Sequence, residues 1–150
     1  MRVPGVNNPY DLQRFVAAQD ERGTYETALA ELRSGRKLSH WMWFVFPQIA
    51  GLGRSAVSRR YAISSLAEAR AYLAHPVLGP RLIECADALS ELRQSSAEEI
   101  FGDIDAMKLR SSMTLFAHAD PANPLFKRVL DAYFAGVPDE ATERLLTPAS

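Results

Sequence analysis

DPANPLFKRVLDAYFAGVP, residues 120–138, carries the clearest helix signal in the chain. Asn123 sets a side-chain acceptor ahead of Pro124, whose φ is already helical and which has no N–H to leave unpaired. Leu125, Phe126, Val129, Leu130, Tyr133 and Phe134 then recur at the three-and-four spacing that puts them on one helix face, and Gly136 with Pro138 closes the run. An apolar face of that kind is stable only when buried against other elements, so the rest of the chain has to supply them.

Working outward, the same signals return. Ser96 with Glu99 is a capping-box pattern, Gly102 interrupts, and Asp103 stands as a cap for a helix in which Ile104, Met107, Ser111, Leu115 and Phe116 share a stripe ending at Asp120-Pro121. Gly79-Pro80 starts a helix carrying Leu82, Ile83, Ala86, Leu89 and Leu92. Ser65 with Glu68 caps the stretch from Leu66 to Ala74, which His75-Pro76 stops, and Ser55 caps a short stretch to Tyr61. Ser39 reads as the cap of a short helix from His40 to Phe46, apolar on every face and therefore core. At the start, Asn8-Pro9 opens a helix running to about Gln19. Tyr25, Ala28, Leu29 and Leu32 mark a second helix, with Gly35 at its C-terminal cap, and the two form a hairpin. A last short helix runs from Asp139 to Leu146. The one β-rich run, Val45 to Ile49, contains Pro47, which argues against a central strand. The expectation is an all-α, compact multihelical single domain over residues 1–150, of about seven to nine helices with no significant sheet.

Apolar residues make up 47% of the 150-residue chain and charged residues 23%, which is enough apolar material for a packed core and far from a disordered composition. A net charge of -1 gives no global field that would recruit nucleic acid or an anionic membrane, so nucleic acid is not the favoured partner. The lone cysteine, Cys85, sits in an apolar helix stripe and reads as a core residue, with no disulfide-linked partner. The start of the chain lacks a basic-then-apolar leader, and the densest apolar stretch, Trp41 to Phe46, falls far short of the ~20 residues of a membrane span. A cytoplasmic location and no membrane partner are expected.

Charge is distributed unevenly. Between Leu32 and Ala67 the six charged residues, Arg33, Arg36, Lys37, Arg54, Arg59 and Arg60, are all basic, whereas from Glu84 to Asp105 seven acidic residues face only Arg93. Single surface charges of this sort are mostly solvated or form pairs of ~0–1 kcal/mol. The segment Gly51-Leu52-Gly53-Arg54-Ser55 offers more, because its glycines let backbone N–H groups approach closely and Ser55 opens a helix whose N-terminus favours an anion. His40 lies among aromatic residues and near Lys37, where an imidazole can donate to a ligand or serve as an acid or base. Trp41 and Trp43 read as core, with one indole available at a cavity edge to stack on a ring. Asp103, Asp105, Lys108 and Arg110 alternate in charge ahead of Ser111, Ser112 and Thr114, whose hydroxyls are poor helix-interior choices and mark either tight packing or a site. His40, His75 and His118 are isolated in sequence, so no metal site is expected.

These residues also carry a resemblance. Pro9 to Phe15, Lys37-Leu38-Ser39-His40-Trp41-Met42-Trp43-Phe44-Val45-Phe46-Pro47-Gln48, Tyr61-Ala62-Ile63, Ala71-Tyr72-Leu73, His75 to Leu82, Phe101-Gly102 and Lys108 to Phe116 resemble the bacterial family "domain of unknown function 1810" over nearly the whole chain. The resemblance implies a compact multihelical fold and brings no activity with it. The label calpastatin that some members carry does not suit a chain with this much apolar material, since that inhibitor is disordered and polar. A fainter likeness is to the helical NADAR domains linked to NAD and ADP-ribose, with Ser39-His40 and Phe101-Gly102-Asp103 in similar positions; the glutamate of that family's first motif is missing here, since His40 follows Ser39 directly.

Two classes of function follow. In the first, a nucleotide-like or other phosphorylated small molecule binds. Lys37, Arg54 and Arg59 contact its anion, Trp41 or Trp43 stacks on its ring, and Gln48, Ser55, Lys108, Arg110 and Ser111 complete the ligand-binding set. ADP-ribose- or NAD-linked glycosidic chemistry would add His40, Asp103 and Asp105 as acid-base groups, because a departing base needs protonation. No cofactor or metal is implied. In the second class, the chain is a non-catalytic module that docks an acidic protein or RNA through a basic face. A concavity holding both His40 and Lys108 favours the first class, and a flat basic face favours the second.

Overall fold

A computed structural model describes residues 10–92 and 95–147. The described residues form α1 (Gln13–Asp20), a 3₁₀ turn (Glu21–Gly23), α2 (Thr24–Ser34), α3 (Met42–Val45), α4 (Ala56–Arg60), α5 (Leu66–Ala74), α6 (Leu78–Glu91), α7 (Ala97–Ala119), α8 (Leu125–Phe134) and α9 (Glu140–Leu146). The only β pairing among them is an isolated parallel bridge between Ile49 and Ile63. Pro47 and the turn at Gly51 leave no room for a longer strand. The Asn8-Pro9 cap lies outside the described residues.

The decisive stretch folds as its pattern requires. Asn123 Oδ1 accepts from the Leu125 N–H at 3.0 Å, and Leu125, Phe126, Val129 and Leu130 are buried. α8 packs on α7 and α6, α7 also packs on α5 and α9, and α6 packs on α2. A relay of rings crosses these layers: Phe126 to Phe116 at 5.9 Å, Phe116 to Tyr72 at 5.4 Å, and Tyr72 to Phe15 at 5.1 Å edge to face. One continuous core results. Cys85 belongs to it, and burial pushes its thiol up to about 12, as suits a core residue rather than a nucleophile. No helix among the described residues is long and apolar enough to cross a membrane.

The caps are where local chemistry sets the helix ends. Ser55, Ser65, Ser96 and Asp139 each accept the N–H three residues on, and Ser96 with Glu99 makes the full reciprocal box. Gly35 ends α2 at φ 81°, where a side chain would be strained. The box expected at Ser65 forms only half, because Glu68 turns its carboxylate to the Ser64 N–H (2.8 Å) and to Arg14 (3.0 Å). Arg14 also donates to the carbonyls of Arg60 (2.7 Å) and Ala62 (2.9 Å), so α1 holds the loop that carries Tyr61. Asp139 Oδ2 accepts from both the Thr142 N–H and its hydroxyl, fastening the start of α9. Asp139→Ala should lower stability by about 1 kcal/mol in chemical denaturation. An unchanged midpoint would mean that α9 does not depend on this cap.

Three expectations are corrected. Ser39 does not cap α3; its hydroxyl donates to Glu31 at 2.6 Å, and α3 starts after Trp41 without a side-chain cap. Asp103 does not cap either: α7 begins at the Ser96 box, the break inside it is Gly102 at φ 79° and ψ 165°, and the Asp103 side chain has no partner among the described residues. Ile104 and Met107 are 74% and 68% exposed rather than core, because α9 covers that face of α7 only from Ser111 onward.

Candidate functional site

The site is organised by Glu31, a buried carboxylate in the last turn of α2. Its Oε1 accepts the backbone N–H groups of Leu38 (2.8 Å) and Ser39 (3.0 Å) and the indole N–H of Trp41 (2.9 Å), and its Oε2 accepts the Ser39 hydroxyl. Burial alone would raise its pKa, but these donors outweigh that and hold the carboxyl at about 2. Lys37 N–H adds a bond to the Ile100 carbonyl at 2.7 Å, so the chain from Lys37 to Trp41 is wound around one anion and tied to α7.

That winding presents Lys37 and His40 beside α7. Asp105 stands between two ammonium groups, with Lys37 Nζ 2.9 Å from Oδ2 and Lys108 Nζ 3.0 Å from Oδ1. Burial opposes ionisation of Asp105, yet hydrogen bonds and charge from Lys37 and Lys108 hold its pKa below the usual value. Lys37 also donates to the Ser39 carbonyl at 2.5 Å and lies 5.1 Å from the Trp41 ring centre, and Lys108 lies 3.7 Å above the Trp43 ring. Lys37, His40, Asp105 and Lys108 line a hollow of about 70 Å³ with Trp41 and Trp43. His40 is exposed and has no side-chain partner among the described residues.

Trp43 is a wall shared by two further clefts. One, of about 280 Å³, runs between the Gln48–Gly53 segment, α7 and α9, with Leu52, Ile104 and Met107 apolar and Lys108, Ser111 and Asp139 polar. The other, of about 140 Å³, lies on the side of Arg59 and Tyr61. Gln48 and Gly53 line both. Trp43 is partly exposed and lines both of these clefts, whereas Trp41 is fully buried, tied to Glu31, and lines neither.

The remaining candidates are scattered. Ser55 Oγ is used as the α4 cap, and α4 has five residues, too few to carry an anion site of its own. Arg54 and Arg59 are exposed, with no ion pair among the described residues; Arg59 lines the smaller cleft, and no described concavity joins either arginine to Lys37. Arg110 Nε donates to the Val137 carbonyl at 2.9 Å and supports the turn after α8. Ser111 is buried against the Thr142 hydroxyl at 3.0 Å, and Thr114 accepts the Asp139 N–H at 2.9 Å, so these hydroxyls latch α9 onto α7. Glu31 was missed in the sequence; its signal was an acidic residue just ahead of a long basic segment.

The model of the family described as Protein of unknown function (DUF1810) matches residues 9–146, and the chain belongs to that family. The chain is similar to the crystal structure of the conserved hypothetical protein Rv1873 from Mycobacterium tuberculosis, with 53% identity and a TM-score of 0.89 over 93% of this chain and 98% of that one. No curated protein matches.

Proposed function

We propose that this DUF1810 member binds a small nucleotide-like or other phosphorylated molecule in the clefts around Trp43. The observation that carries the reading is the concavity lined by both His40 and Lys108, which adjoins a partly exposed indole. A planar ring finds Trp43, Leu52, Ile104 and Met107 on the walls of the larger cleft, and Gln48 supplies a hydrogen-bonding edge. Exposed Ile104 and Met107, which serve no core, gain a role as cleft walls.

The geometry supports binding more than glycosidic turnover. Asp105 is paired with two lysines and held anionic, so it is no source of a proton for a leaving group. Asp103 is exposed and lines no described cleft, and no carboxylate orients His40 among the described residues. The competing reading, a module docking an acidic protein or RNA, draws on the unpaired arginines Arg54 and Arg59.

A thermal-shift panel of NAD, ADP-ribose, nucleotides, sugar phosphates and phosphate tests the proposal. A compound at a hundred times its dissociation constant stabilises the native state by about 2.7 kcal/mol, and Trp43→Ala should abolish that gain. If every compound leaves the melting temperature unchanged, the small-molecule reading gives way to the docking module.

A further inference from the structure

We infer that the hollow between Lys37, His40 and Lys108 receives the phosphoryl end of the ligand, with Asp105 as a built-in counter-anion that the ligand competes against. The inference rests on the proposed small-molecule reading and deepens it by fixing where the anion sits.

Three charged side chains meet at the hollow with little exposure, 7% for Lys37, 17% for Lys108 and 19% for Asp105. Two cations and one carboxylate leave one positive charge in excess in a place where water screens weakly. Each ammonium has three donors. Lys37 uses two, on Asp105 and the Ser39 carbonyl, and Lys108 uses one on Asp105 while its charge faces the Trp43 ring. Among the described residues, at least one donor of each lysine therefore has no hydrogen-bond acceptor, and both lysines line the same hollow with His40. About 70 Å³ suits a phosphoryl or carboxylate group and not a ring, whereas the adjoining cleft of about 280 Å³ suits the ring. Trp43 and Lys108 line both spaces, so a ring in the cleft and an anion in the hollow would each contact the same two side chains.

Asp105 then has a definite part. Without a fixed anion, two ammonium groups this near would repel one another, and the carboxylate keeps them converged on the hollow. It also repels an incoming phosphate. Its amide isostere keeps a carbonyl acceptor for the lysines without the negative charge and should therefore bind phosphate more tightly, the opposite of what a substrate-contacting acid or base would show.

The experiment is calorimetric titration of the full chain with adenosine and, separately, with inorganic phosphate and pyrophosphate. Asp105→Asn should tighten phosphate and pyrophosphate binding about tenfold and leave adenosine unchanged, while Lys37→Met and Lys108→Met should weaken both anions at least tenfold. Should Lys37→Met not fold, Lys108→Met, whose side chain is the more exposed of the two, carries the same test. Adenosine binding with phosphate affinity indifferent to all three substitutions overturns the hollow and leaves the reading of the ring cleft standing. Phosphate binding lost instead on Arg59→Ala places the anion in the smaller cleft and also overturns the inference. If neither adenosine nor either anion binds the unaltered chain, the inference and the reading beneath it both fall.

Discussion

Glu31→Ala is expected to lower the unfolding free energy by about 3–5 kcal/mol at neutral pH. The substitution leaves two backbone N–H groups, a hydroxyl and the buried indole N–H of Trp41 without their acceptor, and each buried donor left unpaired costs about 1–3 kcal/mol. Leu38 and Ser39 reach water in part, which keeps the total well below four times the upper value. The pH dependence has a definite sign. Because the folded carboxyl sits at about 2 against an ordinary value of 4.5, its contribution is complete above the ordinary carboxylate range and is lost as pH falls from about 4.5 through about 2. Denaturant midpoints for the native chain and the variant should therefore converge between pH 5 and pH 2. A constant difference across that range would mean that the charge of Glu31 is not what holds the segment. The variant should also lose any anion binding that depends on Lys37, since that side chain leaves the segment wound on Glu31.

Phe126→Ala should cost about 3–5 kcal/mol and lower the melting temperature by roughly 10 °C. The ring is fully buried, lies 5.9 Å from Phe116, and sits on the face that joins α8 to both α7 and α6. Little can collapse into the space, because Phe116 is itself held by Tyr72, which is tied to Gln19 and the Phe44 carbonyl. A loss below about 1 kcal/mol in denaturant titration would show that the α7–α8 interface is not the organising contact of the fold.

What was legible in the sequence was mostly local. Ser55, Ser65, Ser96, Asn123 and Asp139 bond N–H groups within three residues of themselves, so a side chain and its partner appear together in the text of the chain. The α8 stripe was legible because one period accounts for all of it. Ser39 departs from the capping pattern because a stronger acceptor, the Glu31 carboxylate, lies eight residues upstream and takes its hydroxyl. Ile104 and Met107 failed for a different reason. The helical period was right, but it gives a face without saying how far the neighbouring helix extends along it.

The site was legible as a set of residue types and not as a constellation. Lys37, His40, Trp43, Gln48 and Lys108 stand out by residue type, and they line two concavities that share Trp43 and Lys108. That Asp105 joins Lys37 to Lys108 depends on how α7 passes the segment after α2, which no spacing records. Arg54 stands out by charge and loop composition, and neither says which way an exposed arginine faces. For Ser111 and Thr114 tight packing is one of the two readings the sequence offers, and their bonds to Thr142 and Asp139 supply it; Arg110, read by its charge, bonds the Val137 carbonyl instead.

A crystal structure of the chain grown with whichever compound of the thermal-shift panel raises the melting temperature most would show whether the Trp43 clefts bind it. The expected result is a ring against Trp43 in the cleft with Leu52, Ile104 and Met107, and an anionic group within hydrogen-bond distance of Lys37 and Lys108. A compound ordered elsewhere, such as the groove of about 440 Å³ lined by His118, Lys127, Asp131 and Glu143, with the Trp43 clefts holding only solvent, would contradict it.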